Sequence, residues 1–102
     1  MKYDKLIRDR IPEIMDSKGK KYIMRQTDND MEKDSYLRKK LQEEVNEFLE
    51  SPSIEELADI KEVVLALADS LGYAPEELEF VRTNKRNARG AFEHGFILEE
   101  VQ

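Results

Sequence analysis

Two helical stripes of apolar residues, separated by a three-residue break, constrain the fold of this chain more than any other feature. The stripes are Leu37, Leu41, Val45 and Phe48 before the break, and Leu57, Ile60, Val64, Leu67 and Leu71 after it. Their steps of three and four residues follow the helical period and exclude the alternation of a half-buried strand. Because Ser51-Pro52-Ser53 stands between them, we expect two amphipathic helices joined by a tight turn.

Two further helices are predicted outside these stripes. Ile11-Pro12 favours the start of a short helix that ends near Lys18-Gly19, because proline suits a first turn and glycine the position past a helix end. A third long helix is predicted from Ala74-Pro75 to about Arg89-Gly90. The sequence therefore predicts four consecutive helices.

The sequence also predicts where the two long helices begin and end, and what the segments outside the helices form. The first long helix is expected to begin within residues 28–34, and the second to close at Gly72. Residues 20–26 alternate weakly and predict a short strand. Residues 3–10 are expected to form an extended or turning arm, and residues 91–102 a second arm, in which Phe96-Ile97-Leu98 forms either a strand or a contact with a neighbouring copy. The expected class is all-α, a helical bundle built on a long antiparallel helix hairpin plus a third helix.

Length and composition predict one domain that pairs with another copy. The 102 residues have room for a single core, so we expect one domain over residues 1–102. Apolar residues make up 39% and charged residues also 39%, which is highly charged for an isolated globule. We therefore expect a homo-oligomer in which a second copy completes the core.

Charge and composition also exclude several function classes. The net charge of −6 disfavours a globally basic nucleic-acid binder, and the absence of cysteine excludes disulfides, thiolate nucleophiles and Cys-ligated metals. The longest strongly apolar run, residues 63–68, is too short to span a bilayer, so no membrane role is expected. With no signal-peptide pattern at the start, the expected location is the cytoplasm.

Two pairs of acidic residues flank the break. Glu44 and Glu47 are three residues apart on the first long helix, so their side chains share a face. Glu56 and Asp59 repeat that spacing on the second. In an antiparallel hairpin Glu47 and Glu56 both lie about 5 Å from the turn, and facing helices pack with axes about 8–10 Å apart. Carboxylates from both helices can therefore meet.

Such a meeting point favours a hard divalent cation. Crowded carboxylates repel one another, and an all-oxygen ligand set selects Mg²⁺ or Mn²⁺ over zinc or copper. The spacing alone leaves another interpretation open, because acidic residues on long helices often form only a solvated face. Glu56 also fits a capping box with Ser53, which is a structural role.

Two groups of basic residues are candidates for phosphate binding. One forms a single stripe on the third long helix, namely Arg82, Lys85, Arg86 and Arg89; the other is in the lead-in, namely Lys5, Arg8 and Arg10. Arginine offers forked contacts to phosphate and lysine a point charge. The alternative for the stripe is a solvated face that complements the dipole at the helix C-terminus.

Four segments of the chain together resemble a known family. They are residues 5–14 (KLIRDRIPEI), 41–48 (LQEEVNEF), 55–60 (EELADI) and 85–92 (KRNARGAF). In this order they resemble the MazG-like all-α NTP pyrophosphohydrolase superfamily. More narrowly, they are similar to its phosphoribosyl-ATP pyrophosphohydrolase-like branch. The resemblance covers nearly the whole chain, although Ala91 stands where branch members often carry a second glycine.

The resemblance implies Mg²⁺-dependent hydrolysis of a nucleoside triphosphate to monophosphate and pyrophosphate, in a role such as clearing non-standard nucleotides. The acids that match the family's metal ligands are Glu44, Glu47, Glu56 and Asp59, with Mg²⁺ or Mn²⁺ as the cofactor. Glu43 matches an extra acid of the motif, with a role either behind the ligands or in positioning water. The implied assembly is a dimer or a higher oligomer such as a tetramer.

The same resemblance implies the residues that act on the substrate. Lys85 and Arg89 match the phosphate-contacting basic residues, and the expected catalytic residues are Glu43, Glu44 and Lys85. The substrate-binding set is expected to be Lys5, Arg8, Asn84, Lys85, Arg86 and Arg89.

Two other function classes stay open at this point. One is a non-catalytic helical module that senses a nucleotide or binds a partner protein. The other is nucleic-acid binding through the stripe on the third long helix, which predicts steep salt dependence and which the overall acidity disfavours. The lone histidine, His94, is expected on the surface of the tail.

Overall fold

Every regular element of the chain is an α-helix in the computed structural model, which describes residues 2–102. The helices are α1 (Ile11–Ser17), α2 (Asp30–Glu50), α3 (Ile54–Ser70) and α4 (Pro75–Arg89). The all-α class predicted from the apolar spacing is therefore confirmed, and each helix begins and ends close to its predicted bounds.

The strand predicted over residues 20–26 is wrong. This segment has no regular structure, and residues 2–102 contain no other strand with which it could pair. Tyr22 of this segment contacts α1 instead, and its hydroxyl donates a hydrogen bond of 2.8 Å to Asp16. Ile23 and Met24 remain exposed. Weak alternation without a pairing partner was therefore not enough to form a strand.

The two long helices α2 and α3 pack side by side. Near the start of α2, Asp34 accepts a hydrogen bond of 2.8 Å from Ser70, the last residue of α3. Towards the other end of the pair, Glu44 lies close to Glu56 and Asp59. These contacts at both ends show that the two helices run in opposite directions.

A glycine turn separates α3 from α4. Gly72 has a φ of +91°, a left-handed conformation that costs glycine little. It closes α3 as a Schellman motif, since Gly72 N–H donates to the Asp69 carbonyl and Tyr73 N–H to the Ala68 carbonyl. Pro75 then opens α4 in its first turn. The contact of α4 with α3 is much smaller than that of α2 with α3.

The single chain is elongated and has little core. It extends over 60 × 31 × 24 Å with a radius of gyration of 17.8 Å, whereas a compact domain of this length has a radius of about 13 Å. Among residues 2–102, the buried apolar side chains are Leu37, Val63 and Ala68, and each keeps a small exposed fraction. The helices are thus formed, but apolar side chains such as Leu57, Leu71 and Phe80 remain exposed in the single chain.

None of the helices described in residues 2–102 combines the length and the apolar character that crossing a bilayer requires.

Candidate metal centre

The last turns of α2 carry three acidic residues towards α3. The apolar stripe of α2 faces α3, and Glu44 lies beside that stripe, so the packing of the two helices buries it to 6% exposure. Glu43 is half-buried and Glu47 is exposed. One carboxylate oxygen from each of Glu43, Glu44 and Glu47 lies within 4.8 Å of the others. The helical spacing of the three residues produces this first cluster directly.

The first turns of α3 supply the opposing acids. Ser53 caps the helix, because its hydroxyl accepts a hydrogen bond of 3.1 Å from the Glu56 backbone N–H. The reciprocal bond of a capping box, from Ser53 N–H to the Glu56 carboxylate, is not formed in the described chain. The backbone of Glu56 therefore serves the cap, while its carboxylate remains available to the seam between the helices.

The acids of the two helices converge on Glu44. One oxygen from each of Glu44, Glu56 and Asp59 lies within 4.8 Å of the others, which forms a second cluster. Glu56 and Asp59 are both half-buried. Glu44 belongs to both clusters, so the four acids expected to be metal ligands, Glu44, Glu47, Glu56 and Asp59, lie around one region of the α2–α3 seam.

Two carboxylate oxygens in this region lack any partner. Oε2 of Glu44 and Oε2 of Glu56 are both buried, and neither accepts a hydrogen bond. Burial raises the pKa of Glu56, and the nearby negative charges of Glu47 and Glu44 raise it further. A buried carboxylate without a donor is costly. The seam therefore contains acceptor capacity that the described part of the chain does not use.

Lys40 is a member of this site that the sequence interpretation missed. Its ammonium lies 3.4 Å from an oxygen of Glu43 and 3.4 Å from Oε1 of Glu44, and its side chain is only 18% exposed. The available signal was its position on α2, three and four residues before the two acids, where helical side chains meet. Lys40 therefore balances part of the negative charge of these two acids.

The lead-in brings two predicted basic residues to the same acids. Tyr36 of α2 donates a hydrogen bond of 2.7 Å to Asp4, and Leu6 and Ile7 are half-buried, so this segment lies against the helices. Arg8 consequently pairs with Asp59 at 2.6 Å, and Lys5 lies 3.7 Å from Glu43.

The third basic residue of the lead-in is turned elsewhere. Arg10 pairs with Glu13, its neighbour on α1. Arg8 and Lys5 therefore join the acid region, and Arg10 does not.

The cationic stripe of α4 lies apart from the acids in the single chain. Arg82 pairs with Glu79 on its own helix, and Arg86 lies 3.5 Å from Glu93 of the tail. Within residues 2–102, helix α4 makes no contact with α2. The stripe and the neighbouring Asn84 are exposed, namely Arg82, Asn84, Lys85, Arg86 and Arg89. The structure thus groups Lys5 and Arg8 with the acids, but not the α4 residues.

An open cavity of about 520 Å³ lies where the stripe meets the tail. Arg86, Arg89 and Phe92 line it together with His94 and Phe96. The rings of His94 and Phe96 stack with their centres 5.4 Å apart. His94 is exposed, as expected for a surface residue of the tail.

Comparisons of the chain with models of protein families, with curated proteins and with solved structures gave no match.

The donor set fits a hard divalent cation. All candidate ligands are carboxylate oxygens, which Mg²⁺ and Mn²⁺ prefer, and histidine and cysteine are absent from the clusters. The two buried oxygens without partners supply a second, independent indication.

Proposed function

We propose that this chain is a Mg²⁺-dependent nucleoside triphosphate pyrophosphohydrolase of the MazG-like all-α type, which releases monophosphate and pyrophosphate. The observation that carries the proposal is the pair of buried, partnerless carboxylate oxygens of Glu44 and Glu56 within converging acid clusters. The resemblance of four segments to the phosphoribosyl-ATP pyrophosphohydrolase-like branch supports the same activity. Clearing of non-standard nucleotides is the proposed role.

The metal ligands in this proposal are Glu44, Glu47, Glu56 and Asp59. When bound, Mg²⁺ or Mn²⁺ would supply positive charge for the phosphate oxygens and ease the deprotonation of a nearby water. Glu44 lies on α2 and is the most buried of the four. Its side chain keeps its position because α3 packs against this part of α2. Arg8 already holds Asp59 at the edge of the cluster.

Glu43 is the proposed residue for orienting the attacking water. It is less buried than Glu44, and its oxygens contact Lys5 and Lys40 at 3.7 and 3.4 Å. The two ammonium groups hold this carboxylate in place, where its oxygens can accept a hydrogen bond from water. The attack is proposed at the α phosphorus, with pyrophosphate as the leaving group.

The basic residues neutralise the phosphate charge in this proposal. Lys5 and Arg8 are next to the acids and are free to exchange a carboxylate for a phosphate oxygen when metal is present. The α4 residues proposed to contact the substrate are Asn84, Lys85, Arg86 and Arg89, with Lys85 assisting departure of the pyrophosphate. A homo-oligomeric helical bundle is proposed as the complete structure.

One observation favours a second candidate, a non-catalytic helical module for nucleotide sensing or partner binding. Lys5, Arg8 and Lys40 form ion pairs with Glu43, Asp59 and Glu44, respectively. A purely structural cluster of charges would have the same ion pairs. This candidate predicts nucleotide or partner binding without hydrolysis.

The experiment is a product assay with standard and modified nucleoside triphosphates in the presence of Mg²⁺. Wild type is expected to release pyrophosphate, and not orthophosphate, from at least one of them. Glu44→Gln and Asp59→Asn should lower the rate by roughly 100-fold or more, because each replaces a proposed carboxylate ligand by an amide. Glu62→Gln changes an exposed acid of α3 outside the clusters and should leave the rate unchanged.

Three results would contradict the proposal. They are orthophosphate as the product, no turnover of any nucleotide, or turnover that Glu44→Gln leaves intact. The second of these, together with nucleotide binding, would support the non-catalytic module.

A further inference from the structure

Tyr36 of α2 holds the start of the lead-in against the helices. Its side chain is half-buried, and its hydroxyl donates a hydrogen bond of 2.7 Å to Asp4. The ammonium of Lys39 lies 5.0 Å from the centre of the Tyr36 ring. The hydrogen bond to a carboxylate raises the pKa of the Tyr36 hydroxyl above its ordinary value of 10.0, so the hydroxyl remains a donor at neutral pH. Asp4 is therefore tied to one position on α2.

The segment after Asp4 follows α2 towards the acid clusters. Tyr36 and Glu43 are seven residues apart, so they share a face of α2 and lie about 10 Å apart along its axis. Lys5, the residue after Asp4, lies 3.7 Å from Glu43. Residues 6 and 7 are half-buried. The lead-in thus runs along α2 from the tyrosine to the acids.

Arg8 completes this path on a proposed metal ligand. One of its guanidinium nitrogens lies 2.6 Å from Oδ1 of Asp59 on α3. Asp59 contributes an oxygen to the second acid cluster, together with Glu44 and Glu56. The Arg8 guanidinium and a divalent cation are therefore alternative partners for the same carboxylate.

We propose that Tyr36 is a positioning residue of the metal centre, whose hydrogen bond to Asp4 keeps residues 4–8, the strap, over the acids and so holds Arg8 on Asp59. A divalent cation has to compete with Arg8 for Asp59. Because closure of the strap and binding of the cation oppose each other, each weakens the other by the same factor. The inference rests on the proposed metal centre and adds a residue that controls its affinity from two helical turns away.

The first test is the affinity for Mn²⁺, measured by electron paramagnetic resonance on the full chain. Tyr36→Phe removes the hydroxyl without changing the charge, and it should tighten Mn²⁺ binding about threefold, the worth of a modest hydrogen bond. Arg8→Met should tighten it about fivefold, because it removes the competing cation. The double variant should bind about as tightly as Arg8→Met alone, since Tyr36 acts through Arg8.

Two variants of the same chain are matched controls. Tyr22→Phe removes the same kind of hydrogen bond, which the half-buried Tyr22 donates to Asp16 at 2.8 Å. Arg10→Met removes a positive charge of the lead-in that pairs with Glu13 and not with the acid clusters. Both variants are expected to bind Mn²⁺ as wild type does.

A second measurement follows the strap itself without metal. Trypsin cleaves after Lys5, and mass spectrometry gives the rate at which the fragment beginning at Leu6 appears. Tyr36→Phe should be cleaved there several-fold faster than wild type, whereas Tyr22→Phe should be cleaved at the wild-type rate. Each tyrosine variant loses one hydrogen bond, so a general loss of stability would affect both. Saturating Mn²⁺ should also speed this cleavage in wild type, because the competition is reciprocal.

The inference fails on any of three results. These are Tyr36→Phe binding Mn²⁺ no more tightly than Tyr22→Phe, equal tightening by Tyr36→Phe whether or not Arg8 is present, and cleavage after Lys5 that Tyr36→Phe leaves unchanged. With saturable Mn²⁺ binding by wild type, these results would leave the proposed metal centre intact. Absence of saturable binding in wild type and in Arg8→Met alike would contradict the metal centre itself, and this inference with it.

Discussion

Glu44 connects the two acid clusters, and its environment explains why a single residue has this role. Packing of α2 on α3 buries it, Lys40 lies 3.4 Å from one of its oxygens, and the other oxygen has no partner. A buried carboxylate with one oxygen left without a partner is costly. A divalent ion at the open oxygen would restore the balance, so metal binding and folding stability should be coupled.

Glu56→Gln should stabilise the metal-free protein at neutral pH. The pKa of Glu56 is raised above its usual 4.5, chiefly by burial and then by the charge of Glu47. Above that raised value Glu56 is ionised and disfavours the folded state; below 4.5 it is protonated in both states and the penalty is gone. The variant should therefore melt a few degrees higher at pH 7, with the difference vanishing on acidification, as followed by circular dichroism.

The matched control for this experiment is Glu55→Gln. Glu55 is exposed in the same first turn of α3, so both substitutions remove a charge that favours the helix N-terminus. Its variant should be no more stable than wild type. Equal stabilisation by both variants would show that the effect comes from net charge and not from the cluster.

Lys40→Met should separate metal-free stability from metal affinity. The methionine keeps the apolar part of the side chain but removes the only half-buried ammonium beside Glu43 and Glu44 in residues 2–102. We expect a lower melting temperature without metal and several-fold tighter Mn²⁺ binding, because the cation no longer competes with Lys40. Lys33→Met, an exposed position on α2, is the control for both measurements. Weaker Mn²⁺ binding by Lys40→Met would contradict this account of its role.

At the scale of single residues, the sequence predicts contacts within one helix but not contacts between segments that are distant in the chain. Glu44 with Glu47, and Glu56 with Asp59, follow from spacing on α2 and α3. Lys40 was predictable by the same rule. The pairing of Arg8 with Asp59 spans 51 positions and depends on how the lead-in crosses α2. No local pattern determines that path.

At the scale of elements, the start of α3 positions half of the candidate site. The Ser53 hydroxyl satisfies the Glu56 backbone N–H and so fixes where the first turn begins. Ser53→Ala should destabilise the protein by about 1 kcal/mol, the usual cost of losing a helix N-cap. It should also weaken metal binding, because Glu56 lies in the turn that frays.

Thermal denaturation and Mn²⁺ titration of the same sample check both effects. Ser51→Ala is the control, since Ser51 is exposed, ends α2 and forms no side-chain hydrogen bond in the described chain. If Ser53→Ala costs no more than Ser51→Ala, the cap does not set the geometry of the α3 acids.

The helices themselves were predictable because their signals are local. Apolar spacing, Pro12 and Pro75 near helix starts, and Gly72 after α3 are each sufficient to place an element within a few residues. A strand has no comparable local signal, since its hydrogen bonds need a partner that residues 20–26 do not find.

At the scale of the whole molecule, the acidic residues of α2 and α3 lie apart from the basic residues of α4 in the single chain. The resemblance places both in one site, but α4 makes a small contact with α3 and no contact with α2 in residues 2–102. The orientation of α4 depends on packing contacts, and a single chain provides only some of them. The elongated shape and the exposed apolar side chains have the same origin, and neither follows from local periodicity.

Electron paramagnetic resonance of Mn²⁺ tests the central claim most directly, because the signal of the free ion disappears when it binds. We predict saturable binding to the wild-type chain, competition by Mg²⁺, and loss of binding in both Glu44→Gln and Asp59→Asn. Glu62→Gln should bind as wild type does. Absence of saturable binding, or binding that survives both substitutions within the clusters, would contradict the assignment of these acids as a metal site.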